Sequence, residues 1–163
     1  LVPALITDDG LVLSQSLAII DWLDETHPVP PLLPADPAER ARVRSIALAI
    51  ACDIHPLNNL RVLNYLSNTL GVTAEQRTGW YRYWIDLGFE ALEKHLAGDP
   101  RTGPFCHGQS PTLADVCLVP QVANARRFHV DLSPYPAIVR IDAACAALPA
   151  FADAAPARQP DAE

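Results

Sequence analysis

The first part of the chain alternates between short apolar runs and turn residues. Residues 2–6 and 11–13 are apolar, and Thr7-Asp8-Asp9-Gly10 separates them. An Asp-Gly pair between two such runs is typical of a β-hairpin. After Ser14-Gln15-Ser16, apolar residues recur at helical spacing over 17–23, with a serine as the expected N-cap. The pattern predicts two strands and one helix, which are too few for an independent sheet.

A proline-rich segment follows this small α/β unit. Residues 27–37 contain five prolines. Proline fixes φ and removes a backbone donor, so the segment predicts neither a helix nor a central strand. We interpret residues 27–38 as a linker between two domains.

From residue 39 onward the apolar spacing is helical. It predicts an amphipathic helix from 39 to Leu70 that bends at Pro56 and stops at Gly71. Further helices are predicted over 73–97, 112–128 and 136–148. On the first of these, Trp80, Trp84 and Leu87 have the 4-3 spacing of a core stripe, which we favour over a substrate-binding wall. A tail after Phe151 is expected to be coil.

Composition and charge narrow the class of protein. The 163 residues include 19 acidic and 12 basic side chains, for a net charge of −7. This excess argues against broad electrostatic binding of nucleic acid or an anionic membrane. No apolar run approaches the ~20 residues of a membrane span, and the start does not resemble a signal peptide, so we expect a cytoplasmic protein. Because methionine is absent, we expect the C-terminal part of a longer protein.

The cysteines indicate neither a metal site nor a disulfide framework. Cys52, Cys106, Cys117 and Cys145 lie far apart, without a C-x-x-C pair or a histidine at zinc-ligand spacing. Most lie in apolar helical surroundings, where free cysteine behaves as a small hydrophobe. We expect four reduced, structural thiols.

One set of motifs extends over essentially the whole chain. Thr112, followed three residues later by Asp115, is an Asp version of the capping box at the start of a helix. The other motifs are Val2-Pro3, Ser14-Gln15-Ser16, His55-Pro56-Leu57-Asn58-Asn59-Leu60, the runs Leu118–Phe128 and Val130–Pro136, and Arg158-Gln159-Pro160-Asp161. Together they resemble the zeta class of the glutathione transferase superfamily.

The resemblance implies a fold and a division into domains. The fold would be mainly α, with a glutathione transferase C-terminal helical domain at residues 39–163. Residues 1–26 would be the end, two strands and a helix, of a thioredoxin-like glutathione-binding domain, joined by the linker at 27–38. A homodimer is also implied.

The resemblance also implies a reaction. Zeta-class members are typically maleylacetoacetate isomerases of aromatic amino-acid catabolism, with maleylpyruvate isomerases as close relatives. Glutathione would be the cofactor, and a small maleyl dicarboxylate the substrate. The family's serine- and cysteine-containing catalytic motif lies upstream of these residues, so no catalytic residue is assigned here and the chain alone is expected to be inactive. A domain used only for binding or assembly is the alternative from another class.

Four residues match the glutathione-binding positions of the class. The resemblance implies a cis bond at Val2-Pro3, which would present the backbone of Val2 to the cysteinyl part of glutathione; a trans proline at a strand start is the alternative. Gln15 and Ser16 would receive the γ-glutamyl carboxylate at a helix N-terminus, where N–H groups and the dipole favour an anion. From local sequence alone, a plain serine N-cap is the simpler interpretation.

Arg127 is the main candidate for binding a substrate carboxylate. It shares a helix face with Cys117 and Pro120, whereas Arg126 points elsewhere. An arginine on an apolar stripe must find an anion or reach water. The pattern alone allows a side chain that reaches solvent at the last helical turn, and the resemblance favours substrate binding.

A second candidate cluster surrounds the bend at Pro56. At about 100° per residue, His55, Asn58 and Arg61 occupy neighbouring parts of the helix surface. His55 and Arg61 suit anionic groups of substrate or glutathione; the alternative is polar contact across a subunit interface. As a second cation beside Arg127, Arg61 suits the smaller and more highly charged maleylpyruvate.

Overall fold

Two short strands at the front and helices over the rest make up the fold. The structure is a computed structural model that describes residues 3–160 and residue 162. Its elements in chain order are β1 (Ala4–Ile6), β2 (Val12–Ser14), α1 (Ser16–Thr26), α2 (Pro37–Leu48), a π-helical segment (Ala49–Ile54), a 3-10 turn (His55–Asn58), α3 (Leu60–Asn68), α4 (Ala74–Gly98), α5 (Leu113–Arg127), α6 (Pro136–Ala146), α7 (Pro149–Asp153) and a last 3-10 turn (Pro156–Arg158). The mainly α fold class is confirmed.

The predicted hairpin is present at the front of the chain. β1 and β2 are antiparallel, with Leu5 opposite Leu13. The Gly10 N–H donates to the Thr7 carbonyl at 2.9 Å and closes the turn. Gly10 has a φ of +85°, a conformation that glycine adopts without steric cost.

Helix α2 begins inside the proline-rich segment. The Asp36 side chain accepts the N–H groups of Ala38 and Glu39 at 2.9 and 3.0 Å and caps the helix. Pro37 occupies the first helical position, where its missing N–H would have had no intrahelical partner. The helix therefore starts two residues before residue 39.

The helix predicted over 39–70 is broken rather than merely bent. The backbone widens into the π-helical segment Ala49–Ile54 and then tightens into the 3-10 turn around Pro56. Asn59 leaves the helical conformation and caps α3, accepting the Arg61 N–H at 3.1 Å. Pro56 has no N–H and its ring crowds the preceding turn, so it disfavours a regular α-helix at the point where the backbone departs from one.

The core lies among α2, α4, α5 and α6, and α4 contributes a different face from the one predicted. The buried stripe of α4 is Tyr81, Ile85, Phe89, Leu92 and Leu96. Leu87 is 48% exposed, Trp84 is partly buried, and only Trp80 of the predicted set packs on the core. Apolar residues occur on both faces of α4, so the buried face could not be identified from their spacing alone.

A fully buried carboxylate, Asp115, connects the start of α5 to its surroundings. Its Oδ2 accepts both the N–H and the hydroxyl of Thr112 at 2.8 Å, and its Oδ1 accepts the Cys106 N–H at 2.8 Å. The Cys145 thiol of α6 lies 3.8 Å from the same Oδ1. The capping box predicted from Thr112 and Asp115 is confirmed.

The proline-rich segment is held between the two parts of the chain. The Leu32 N–H donates to the Asp24 carboxylate of α1 at 2.6 Å, and the Leu32 carbonyl accepts the Leu113 N–H of α5 at 2.9 Å. The hairpin and α1 are thereby tied to the same helix start that Asp115 anchors.

We expect Asp115→Ala to lower the free energy of unfolding by about 2–4 kcal/mol, because buried donors would lose their acceptor. Urea denaturation with an unchanged m-value measures this loss. Asp131→Ala is the matched control: the exposed Asp131 carboxylate also accepts an N–H and a hydroxyl, both from Ser133, and its loss should cost less than about 1 kcal/mol. Equal losses would contradict the role of burial.

Candidate functional site

The N-terminus of α1 is entered through a residue in a strained conformation. Gln15 has a φ of +72° and is the N-cap, without a side-chain capping bond. Such a φ is uncommon for a non-glycine residue and costs about 1–3 kcal/mol. Ser16 is the first helical residue, so the predicted serine N-cap is wrong. The Ser16 hydroxyl is exposed and has no hydrogen-bond partner among residues 3–160 and 162.

Pro3 and Val2 precede this turn in the sequence. Pro3 is exposed and lies directly before β1. The expected cis bond at Val2-Pro3 falls on Val2, which lies outside the described residues.

Arg127 is the last residue of α5 and is exposed. Within the described part of the chain its side chain has no hydrogen-bond or ion-pair partner, whereas the neighbouring Arg126 pairs with the buried carboxylate of Asp142 at 2.6 Å. Burial raises the pKa of Tyr81, and the positive charge of Arg127 opposes that rise. The Arg127 guanidinium is therefore close enough to the Tyr81 phenol for its charge to favour the ionised form.

The end of α5 is sharply defined. The His129 N–H donates to the Arg126 carbonyl at 3.0 Å, and the Val130 N–H donates to the Ala125 carbonyl at 2.9 Å. This is a Schellman motif, in which His129, with a φ of +56°, stands where glycine is usual. Val130 is buried, so the direction in which the chain continues after α5 is fixed by packing.

The residues predicted around Pro56 separate into two kinds. His55 and Arg61 are exposed. Asn58 is only 6% exposed; its Nδ2 donates to the Tyr81 carbonyl at 3.2 Å, and its buried Oδ1 has no partner within the described residues. The structure therefore places Asn58 in the interior, whereas the His55 and Arg61 side chains are each at the surface.

Tyr81 of α4 connects the bend to the end of α5. Its carbonyl accepts the Asn58 side chain, and its ring stacks on Phe128, with ring centroids 3.5 Å apart and planes inclined by 13°. Phe128 directly follows Arg127. This link is not evident from the sequence, because both contacts join residues far apart in the chain. The local signal for it is the 4-4 spacing of Tyr81, Ile85 and Phe89.

A groove of about 330 Å³ separates α2 and the π-helical segment from α4. Its lining includes Ala49, Trp84, Leu87 and Ala91. The indole N–H of Trp84 is buried and has no partner within the described residues. Gly88 also lines the groove, and a Cβ at this position would overlap the Ile54 side chain. The π-helical segment and α4 therefore approach each other closely at Gly88.

Among the described residues, no group of three or more His, Cys, Asp or Glu side chains has the arrangement to hold a metal ion. No helix there is long and apolar enough to cross a membrane.

All four cysteines carry free thiols, in different surroundings. Cys52 is exposed, Cys117 is partly buried, and Cys106 and Cys145 are buried. Burial raises the pKa of Cys117 to about 11. Burial and the charge of Asp115 raise the pKa of Cys145 to about 12 and that of Cys106 far above its usual range.

Comparison with known proteins places this geometry among glutathione transferases. The glutathione S-transferase C-terminal domain family matches residues 85–156. The chain is 56% identical over 162 residues to a probable maleylacetoacetate isomerase of Vibrio cholerae, covering 99% of this chain and 74% of that protein. It is 55% identical over 161 residues to a maleylpyruvate isomerase of a Ralstonia species, covering 99% and 76%.

Solved structures agree with these relatives. A holo structure of maleyl pyruvate isomerase, described as a bacterial glutathione S-transferase of the zeta class, has a TM-score of 0.97 at 54% identity and covers 100% of this chain and 76% of that one. A maleylacetoacetate isomerase from Anaeromyxobacter dehalogenans, with dicarboxyethyl glutathione and citrate bound in its active site, has a TM-score of 0.92 at 44% identity and covers 100% and 73%.

The surroundings of the cysteines predict selective thiol chemistry. At pH 8, dithiobis-nitrobenzoate should modify Cys52 rapidly in the native protein and the other three thiols only after unfolding. Those three are shielded, and their raised pKa values keep them protonated well above pH 8, whereas the thiolate is the reactive form. The absorbance of released thionitrobenzoate counts the fast thiols. Cys52→Ser should abolish the fast phase; its persistence in this variant would refute the assignment.

Proposed function

The chain belongs to the zeta class of the glutathione transferase superfamily, and on that premise we propose that it serves as a glutathione-dependent cis–trans isomerase converting maleylacetoacetate to fumarylacetoacetate. The observation that carries this proposal is the exposed Arg127 at the end of α5, which has no partner within the described residues, in a chain that matches isomerases of maleyl acids over nearly its whole length. The substrate is a dianion, and a site for it requires cations that are not already neutralised by the protein.

The start of α1 suits the glutathione carboxylate. Gln15 holds a strained backbone conformation, and Ser16 presents a hydroxyl at a helix N-terminus that no other described residue binds. In this proposal Gln15 and Ser16 hold the γ-glutamyl carboxylate, while Val2 and Pro3 face the cysteinyl part. When bound, glutathione supplies a thiolate that adds reversibly to the maleyl double bond.

Activation of that thiol is assigned to no residue of this chain. The chain covers 74% and 76% of its two relatives, and we place the thiol-activating group in the remaining part of the glutathione-binding domain. The chain's own contribution is to bind and orient the two anionic reactants, which lowers the entropic cost of bringing them together.

Arg127 and its neighbours would hold the substrate. The planar guanidinium of Arg127 can bind a carboxylate through two parallel hydrogen bonds. His55 and Arg61 are exposed near the bend and would complement the second carboxylate. Asn58 is buried against the Tyr81 carbonyl, and this burial favours a contribution from behind the site, through the position of the bend.

Maleylpyruvate is the second candidate substrate. Arg61 favours it, because this second exposed guanidinium suits a smaller and more highly charged diacid. A relative for each substrate matches the chain almost equally, at 56% and 55% identity. Comparing kcat/KM for the two acids in the wild type and in Arg61→Ala distinguishes them: a selective loss on maleylpyruvate favours the second candidate.

We further propose a cytoplasmic homodimer that forms across the groove between α2 and α4. Leu48, Tyr83 and Leu87 are 45, 59 and 48% exposed on these helices, and burying apolar area of this kind against a second copy stabilises association. The indole N–H of Trp84, which no acceptor among the described residues reaches, would find an acceptor there. Free thiols suit the reducing environment of the cytoplasm.

Two variants of the full-length protein test the site in a crossed design. Arg127→Lys should lower kcat/KM for the maleyl acid by roughly 10-fold or more, because lysine lacks the planar guanidinium that binds a carboxylate through two parallel hydrogen bonds. The KM for glutathione should stay unchanged. Ser16→Ala should raise the KM for glutathione severalfold through loss of a charge-assisted hydrogen bond, with little effect on the acid.

Each variant is the control for the other. If Arg127→Lys lowers the melting temperature but leaves turnover per folded molecule unchanged, Arg127 has a structural role only. An unchanged glutathione KM in Ser16→Ala would remove the start of α1 from the site.

The dimer has its own test. Leu87→Glu places a charge in the groove and should shift the protein from dimer to monomer, measured by size-exclusion chromatography with light scattering. Leu70→Glu is the control, because Leu70 is equally apolar, 59% exposed, and lies outside the groove. A parent protein that is monomeric, or a Leu87→Glu variant that remains dimeric, would contradict the proposed interface.

A further inference from the structure

The end of α5 is held by a neighbour that the substrate site does not include. Carbonyl groups in the last turn of a helix lack intrahelical donors and need other partners. The carbonyl of Phe128 receives one from α4: Arg82 Nε donates to it at 2.7 Å. Arg82 is exposed, so burial of its charge is not the reason for this contact.

Two successive residues of α4 hold Phe128 at two points. Arg82 binds its carbonyl, and Tyr81 stacks on its ring at a centroid distance of 3.5 Å. A contact to the main chain together with a contact to the side chain restrains both translation and rotation of Phe128. The C-cap of α5 is therefore fixed relative to α4.

The residues on both sides of Arg127 are thus restrained while its own side chain is not. Arg126 is paired with Asp142 at 2.6 Å, and Phe128 is held by α4. Within residues 3–160 and 162, the guanidinium of Arg127 has no partner. A rigid backbone below a free guanidinium is the arrangement expected where the position of a charged group matters, since an error of about 1 Å in a binding group costs up to about 100-fold in rate.

We propose that Arg82 is a positioning residue that acts through Phe128 to aim Arg127 at the substrate carboxylate. This inference rests on the proposed substrate-binding role of Arg127. Arg82 does not itself contact substrate in this proposal. Its bond to the Phe128 carbonyl sets the direction in which the last turn of α5 presents its arginine.

A double-mutant cycle in the full-length protein tests this coupling. Arg82→Ala should lower kcat/KM for the maleyl acid by about 5-fold or more, with an unchanged KM for glutathione. In the Arg127→Lys background, Arg82→Ala should have less than about a 2-fold effect, because the group that it positions is already lost. Arg82→Lys retains a donor and should restore part of the activity.

Arg77→Ala is the matched control. Arg77 is another exposed arginine of α4, and its side chain bonds to Ser67 Oγ at 3.4 Å and to no other described residue. This variant should leave kcat/KM for the acid and the KM for glutathione unchanged. A loss equal to that of Arg82→Ala would overturn the inference, because it would show a general effect of positive charge on α4.

The remaining outcomes separate this inference from the proposed function. A lower melting temperature in Arg82→Ala with unchanged kcat/KM would make the contact a helix cap only. An equal loss in the wild-type and Arg127→Lys backgrounds would show that Arg82 acts independently of Arg127. Both results overturn the positioning role while the loss in Arg127→Lys still supports the proposed function; an Arg127→Lys variant with full activity would overturn both.

Discussion

The buried carboxylate of Asp115 is the group on which the arrangement of the proposed site depends. It satisfies donors from the start of α5 and from the preceding loop, and it meets a thiol of α6. A buried carboxylate is costly unless its oxygens are satisfied, so these segments have one favourable arrangement around it. The neighbouring Leu113 N–H ties the same point to the proline-rich segment and, through it, to α1.

Helix α5 therefore links the two halves of the proposed site. Its start is bonded to the proline-rich segment, which in turn is bonded to α1, whose first residues form the proposed glutathione-binding turn; its end is anchored to α4 through Phe128. The relative position of the two proposed anion-binding groups, the start of α1 and Arg127, is therefore held through one helix. Pro120 lies inside this helix, yet α5 continues for two further turns, supported by its contacts at both ends.

Local signals predicted much of the fold. The Asp-Gly turn and the Thr112–Asp115 capping box depend on residues a few positions apart, and both are present. The helix predicted to run through Leu70 and stop at Gly71 ends earlier, at Asn68. The buried face of α4 was mispredicted, because apolar residues line both of its faces and only tertiary packing selects one. The capping of α1 was mispredicted for a different reason: nothing in the sequence indicates that a glutamine adopts a positive φ.

The groove and the bend are packed directly against each other through the contact between Gly88 and Ile54. No side chain separates the backbone of α4 from Ile54 at this point, and Ile54 directly precedes His55. Because packed interiors compress little and transmit displacement, any shift of α4 at the groove moves the residue that begins the bend. Binding of a partner in the groove would therefore change the backbone geometry around His55. A change in quaternary state would alter the bend even if every residue at the bend stayed the same.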